Sequence, residues 1–299
     1  MKLAPLLAAI GATLAVVACV HGRALAQVDP KVEAVLAHQH AYFARIQTLQ
    51  LTSVLTATMS DAVRDKRHLP SEVVRNDLTF VSSGAKFRSE VSVRIGGVVQ
   101  ASRAVAGYDG STAWLGRSTE GKLVGRITAP GDNSTPYLAT HPLISTFKFA
   151  FAYGDTETIS SLASSSKWAR VLAACVSSED CVVSGHAGTK VVLRGSGPCS
   201  PQPLVYEVFF ASDLQYLPIY WKVTYPDSHY SEVKVTATKN IDLGPSGHLV
   251  MPMRLEGNEY STEGILANQQ AIDVDDKSLK VNEPVADSVF ALPADLTNG

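Results

Sequence analysis

Phe87-Arg88-Ser89-Glu90-Val91-Ser92-Val93-Arg94-Ile95, followed by Gly96-Gly97, decides the fold of this chain. Its odd positions are apolar except Ser89, and its even positions are all polar. A period of two makes a strand with one dry and one wet face, as in an antiparallel sheet covered on one side. Gly96-Gly97 is the turn, and Val98 to Tyr108 runs back. Upstream, Leu51 to Thr58 and Val73 to Val81 read as earlier strands. Downstream, Asp109-Gly110 is a second hairpin signal. Trp114-Leu115 and Leu123 to Thr128 continue the meander. Strands return from Cys181: Cys181–Val183, Lys190–Leu193, Leu204–Phe210, Tyr216–Tyr225, Ser231–Ile241, Met251–Tyr260 and Glu263–Ile272.

Two stretches break this rhythm. Asp29-Pro30 is a helix start, Asp as N-cap and Pro at the first helical position. Val32, Val35, Leu36, Phe43 and Ile46 then recur at helical spacing, and the helix ends near Gln47. Residues 130–175 hold Thr135-Pro136 and His141-Pro142, which open short helical stretches. Thr156-Glu157 starts a helix with Ile159, Leu162, Trp168, Val171 and Leu172. No repeat or linker divides the chain. The order predicts one α+β, mainly β domain. Its sheet should be curved and antiparallel, with about nine to eleven strands. The 30–47 and 155–175 helices should lie on its concave side.

The chain has 299 residues, 45% of them apolar and 18% charged, so it is globular rather than disordered. Its 26 Lys+Arg against 28 Asp+Glu leave −2, which gives no basic surface for nucleic acid. Residues 1–26 read as a signal peptide: Lys2, an apolar run from Leu3 to Val20, and Ala24-Leu25-Ala26 as the cleavage site. The expected product is one exported domain, 27–299. Val16-Val17-Ala18-Cys19 is a competing lipobox that would leave a lipid anchor on Cys19.

Export favours a disulfide among Cys175, Cys181 and Cys199. Cys181–Cys199 is the preferred bridge, because both flank strands around one hairpin; Cys175–Cys181 is the alternative. Three is odd, so one thiol is left over.

No catalytic motif is present. Gly116-Arg117-Ser118-Thr119-Glu120 and Gly195-Ser196-Gly197 both miss the nucleophile elbow. His38 and His40 point to different sides of a helix and cannot share a metal. Asp273, Asp275 and Asp276 resemble half of a calcium loop, but Lys277 and Ser278 break it. The sequence implies no metal, cofactor or enzyme activity.

The order of motifs resembles the bacterial lipoprotein-carrier (LolA-like) superfamily. Lys86-Phe87-Arg88 is similar to its Phe-Arg strand. Asp109-Gly110 with Trp114 is similar to its Asp-Gly…Trp hairpin. Thr135-Pro136 resembles the opening of its inserted helices. Val281-Asn282-Glu283-Pro284-Val285 and Asp287…Phe290-Ala291-Leu292-Pro293 resemble its closing segment. The resemblance spans most of residues 30–295. It implies a strongly curved, unclosed antiparallel sheet (a half-barrel) with helices across the concave side and an apolar cavity that takes acyl chains. One departure is plain: Ser82-Ser83-Gly84 stands where the carrier has a basic pair plus Pro, so the carrier's latch is missing.

The expected function is therefore an exported periplasmic or envelope protein holding a lipid, a lipoprotein acyl chain or another apolar ligand. The alternative is an envelope interaction or sensor protein binding another protein. The cavity candidates are Val91 and Val93 on the dry strand face, and Trp114 of the hairpin. Phe147, Phe149 and Phe151 alternate where a mouth would lie, and Leu162 and Trp168 belong to the inserted helix. Trp221, Tyr220, Tyr225, Phe209 and Phe210 sit in two paired strands, as sheet core or cavity lining.

Overall fold

The computed structural model of the chain describes residues 29–61, 74–95, 98–119, 122–128, 174–197 and 200–298. Residues 1–28 with Cys19, the Phe147–Tyr153 run, residues 155–173 of the expected 155–175 helix, and Cys199 lie outside the described residues.

Six strands form the first meander: β1 (Thr48–Met59), β2 (Val74–Ser83), β3 (Lys86–Ile95), β4 (Val98–Tyr108), β5 (Ala113–Thr119) and β6 (Lys122–Thr128). Seven form the second: β7 (Cys175–Val183), β8 (His186–Gly197), β9 (Ser200–Ala211), β10 (Leu217–Thr224), β11 (Tyr230–Asp242), β12 (His248–Tyr260) and β13 (Leu266–Val274). Two short strands follow, β14 (Lys280–Val281) and β15 (Leu296–Asn298). All fifteen belong to one sheet, in the order β15-β6-β5-β4-β3-β2-β1-β13-β12-β11-β10-β9-β8-β7, with β14 also on β1. β1 and β13 join the two meanders, with Leu55 opposite Ile272. The two ends of the order do not pair, so this curved sheet stays unclosed.

The strand count exceeds the expected nine to eleven. β14 and β15 are too short to show a period. Cys175 is also strand, not helix end: it opens β7 opposite Leu193.

The helix α1 (Pro30–Ala44) starts as its sequence dictates. The Asp29 carboxylate accepts from the Lys31 N–H, and Pro30 occupies the first turn. Its buried residues are Val32, Val35, Leu36, Gln39, Tyr42 and Phe43, one face of a helix. That face packs against the sheet. Lys31 pairs with Asp180 at 2.7 Å on edge strand β7. The Tyr42 hydroxyl donates to the Val250 carbonyl at 2.8 Å on β12. Arg45 donates to the His248 carbonyl and to the Gln215 side chain. The helix thus crosses one end of one sheet face, from β7 to β12.

The opposite face is crossed by the C-terminal segment. Val281 pairs with Leu49. Lys86 pairs with Asp287 at 2.8 Å, and Arg88 donates to the Val289 carbonyl. Leu296 then opens a strand parallel to β6, opposite Leu123. Val105, Trp114, Leu123 and Leu296 form a small separate core beneath this strap. Gly116 makes room for it: a Cβ there would lie 2.6 Å from Leu296 Cδ1.

Candidate functional site

The helix face of the sheet is apolar, and its register can be followed strand by strand. One row runs Val235 (β11), Leu255 (β12), Ile272 (β13), Leu55 (β1), Asn76 (β2) and Val93 (β3). The next row runs Trp221, Val233, Gly257, Gln270, Ala57 and Val74. On the other side of the first, Ser53, Leu78, Val91 and Ala104 stand together. Directly opposed residues of an antiparallel pair share a face, so these rows form one continuous surface.

Burial grades along this surface. At the helix end, Leu49, Leu51, Phe80 and Phe87 are fully buried in the core that α1 completes. Farther along, Leu55, Val233 and Val235 are only partly covered, as are Val91 and Val93. Beyond them Met59 at the end of β1 and Ile265 in the β12–β13 turn are exposed, at 43% and 49%. This face is covered at one end and leaves apolar side chains exposed at the other.

Three amide side chains, one buried and two partly exposed, interrupt this apolar setting. Gln39 on α1 is 0% exposed, and its Nε2 donates to the Tyr216 carbonyl. Its Oε1 is buried with no hydrogen-bond partner, as are Asn76 Oδ1 and Asn268 Oδ1. The sequence carried the signal for two of them. Val74, Asn76, Leu78 and Phe80 alternate, and Asn76 is the polar member of an apolar parity. Gln39 falls between Leu36 and Phe43 on one helix face.

Val91 and Val93 share the face of β3 that carries Phe87, opposite Leu78 and Asn76 of β2. Trp114 does not. It pairs with Gly107, which pairs with Arg88, on the strap face. It is 1% exposed beneath Leu296, so it is core and not cavity wall. A hairpin places its aromatic by strand parity, and the Asp-Gly signal does not set that parity. Phe147, Phe149, Phe151, Leu162 and Trp168 lie outside the described residues. Of the paired-strand aromatics, Phe209, Phe210 and Trp221 are buried core, while Tyr220 reaches Glu232 on the strap face.

The preferred disulfide does not form from Cys181, which is a free thiol, as is Cys175. Cys199 lies outside the described residues. Cys175 and Cys181 lie six residues apart on one strand, which keeps them unbridged.

A second concavity of about 500 Å³ lies near the β7–β8 hairpin, lined by Asp180, Cys181, Gly188, Thr189, Ser212 and Tyr216 among others. His186 Nδ1 and Asp213 Oδ2 are 2.8 Å apart beside it. That is half of a nucleophile set. The other half is not assembled: Ser212 Oγ donates to the Ala187 carbonyl, and no hydrogen bond joins Cys181 to the imidazole. Among the described residues no group of three His, Cys, Asp or Glu is placed to hold a metal. Asp273 and Asp276 serve as ion-pair partners, Asp273 with Arg254 at 2.7 Å and Asp276 with Lys239, while Asp275 accepts from the Lys277 N–H.

No family model matches the chain, and no curated protein matches it. Solved structures do. The chain is similar to a DUF1329 family protein from Desulfovibrio piger, with TM-score 0.49, 9% identity, and coverage of 87% of this chain and 97% of that one. It is similar to a LolA superfamily protein from Nitrosomonas europaea, with TM-score 0.47, 10% identity, and coverage of 88% and 98%. The lipoprotein LppX from Mycobacterium tuberculosis is also among these structures, with TM-score 0.32, 11% identity, and coverage of 86% and 98%. No helix among the described residues is long and apolar enough to cross a membrane.

Proposed function

We propose that this chain is an exported envelope protein that holds a lipid or another long apolar ligand on the helix face of its sheet. The observation that carries the reading is the graded row: Leu255 and Ile272 buried, Leu55, Val235 and Val93 half-covered, Met59 and Ile265 exposed at the rim. Each methylene transferred from water to such a surface contributes about 0.8 kcal/mol, so a long alkyl chain binds without any specific polar contact. The export signal expected at residues 1–26 places this surface in the envelope, where lipids are the available apolar cargo. Chemistry is not part of the reading, because His186–Asp213 engages no nucleophile.

A second reading, binding of an envelope protein, draws support from edge strand β7. Val176 and Val182 are exposed there at 60% and 69%, and an edge strand can accept a partner strand. The test that separates the two uses a fluorescent fatty acid and the purified protein. Saturable uptake, displaced by stearate, supports the lipid reading. No uptake by the properly folded protein contradicts it and leaves the edge strand as the working surface.

A further inference from the structure

We infer that the ligand is not a plain alkyl chain but carries a hydrogen-bond donor along its length, a hydroxyl or an amide N–H, which Asn76 binds. The inference rests on the lipid reading above and names the ligand class for that same surface. Asn76 is the polar member of the row Val235, Leu255, Ile272, Leu55, Asn76, Val93. Its immediate cross-strand neighbours, Leu55 and Val93, have no donor to offer. Its Oδ1 is buried and has no hydrogen-bond partner. Folded proteins rarely leave a buried acceptor unmet, because the group has lost water and gained nothing. Evolution toward stability alone would put Leu or Val here, as it does on both sides. A site that must recognise a donor keeps the amide instead.

Asn268 repeats the feature nearer the rim. It lies opposite Met59, and its Oδ1 is likewise buried and unpartnered. Four residues and two strand spacings put the two amides about 16 Å apart. One extended amphiphile can meet both, its donors facing the amides and its methylenes facing the valines and leucines between them. A plain alkyl chain would cover Asn76 and leave its oxygen dry. A hydroxylated chain would give that oxygen a bond, and a site with a buried acceptor discriminates in this way.

The test is competition of stearate and a panel of hydroxystearates, with the hydroxyl at successive positions, against a bound fluorescent fatty acid. The parent protein should bind at least one hydroxystearate about tenfold more tightly than stearate. Asn76→Leu should lose the preference, so that stearate and every hydroxystearate compete equally against the fluorescent acid. Its melting temperature should equal or exceed that of the parent, since an orphan amide leaves an apolar row; Asn76→Ala serves as the second variant for the same measurement. Equal binding of every competitor by the parent would overturn the inference while leaving the lipid reading in place. A preference that survives in both variants would overturn the assignment to Asn76. Failure of the parent to bind any of these acids would overturn the lipid reading and this inference with it.

Discussion

Asp109 shows how much one side chain does in this fold. Its Oδ1 accepts from the backbone N–H groups of Thr112 and Ser111, both at 2.7 Å, and from the Ser111 hydroxyl at 2.9 Å. The Thr112 N–H, foremost among these donors, holds the carboxyl below its ordinary value. A carboxylate depressed in the folded state stabilises above its unfolded pKa, and that contribution is lost as pH falls through the folded one. Asp109→Ala should therefore cost about 1 kcal/mol at neutral pH. The gap to the parent, read from urea midpoints, should narrow as pH drops below 3.8. Gly125 makes a contrasting demand on space alone. A Cβ there would fall 2.0 Å from the Leu115 carbonyl oxygen, so two strands must separate. Gly125→Ala should destabilise by about 2 kcal/mol or more in the same measurement.

At the scale of elements, α1 and the strap hold opposite faces. Phe43 is 2% exposed and Tyr42 1%, both in the core that α1 completes. Phe43→Ala should cost about 3–5 kcal/mol through lost contacts and a cavity. Tyr42→Phe keeps the packing and leaves the Val250 carbonyl without its donor, at a cost of about 1–3 kcal/mol. Thermal melts of the two variants should rank them in that order. The strap is held more lightly, by ion pairs, the short strand β15 and the Leu296 side chain. Gly116→Ala puts a methyl into the Leu296 socket. It should speed hydrogen exchange at residues 296–298 far more than it lowers the melting temperature. These elements were legible in the sequence to different degrees. The Asp29-Pro30 start and the alternation of Phe87–Ile95 named a helix and a strand because local chemistry sets both. The strap strand β15 was not legible, since three residues carry no period and their pairing with β6 is a long-range choice. Cys175 looked like a helix end for the same reason: strand β7 is exposed along most of its length and shows no clean alternation.

At the scale of the molecule, what makes a site is strand parity carried across the sheet. Val91 and Val93 could be assigned from the sequence because the alternation is local. Trp114 was misassigned because its face depends on a hairpin register that motifs do not encode. Asn76 was readable in the parity of its own strand, yet it became a feature only once Leu55 and Val93 stood on either side. Replacing Val93 by Asp places a carboxylate on the half-covered part of the surface. Water reaches the rim, so the sheet should fold with a loss of no more than about 2 kcal/mol, whereas a charge against an alkyl chain is costly. The variant should keep the circular dichroism of the parent and lose fatty-acid uptake.

The most direct measurement is native mass spectrometry of the purified full chain, paired with lipid extraction of the same sample. A lipid site on the helix face of the sheet predicts a fraction of protein heavier than the bare chain, an organic-extractable species of the matching mass, and loss of both in Val93→Asp. A parent protein that runs only at its bare mass, yields no extractable lipid and takes up no fatty acid when offered one would contradict the claim.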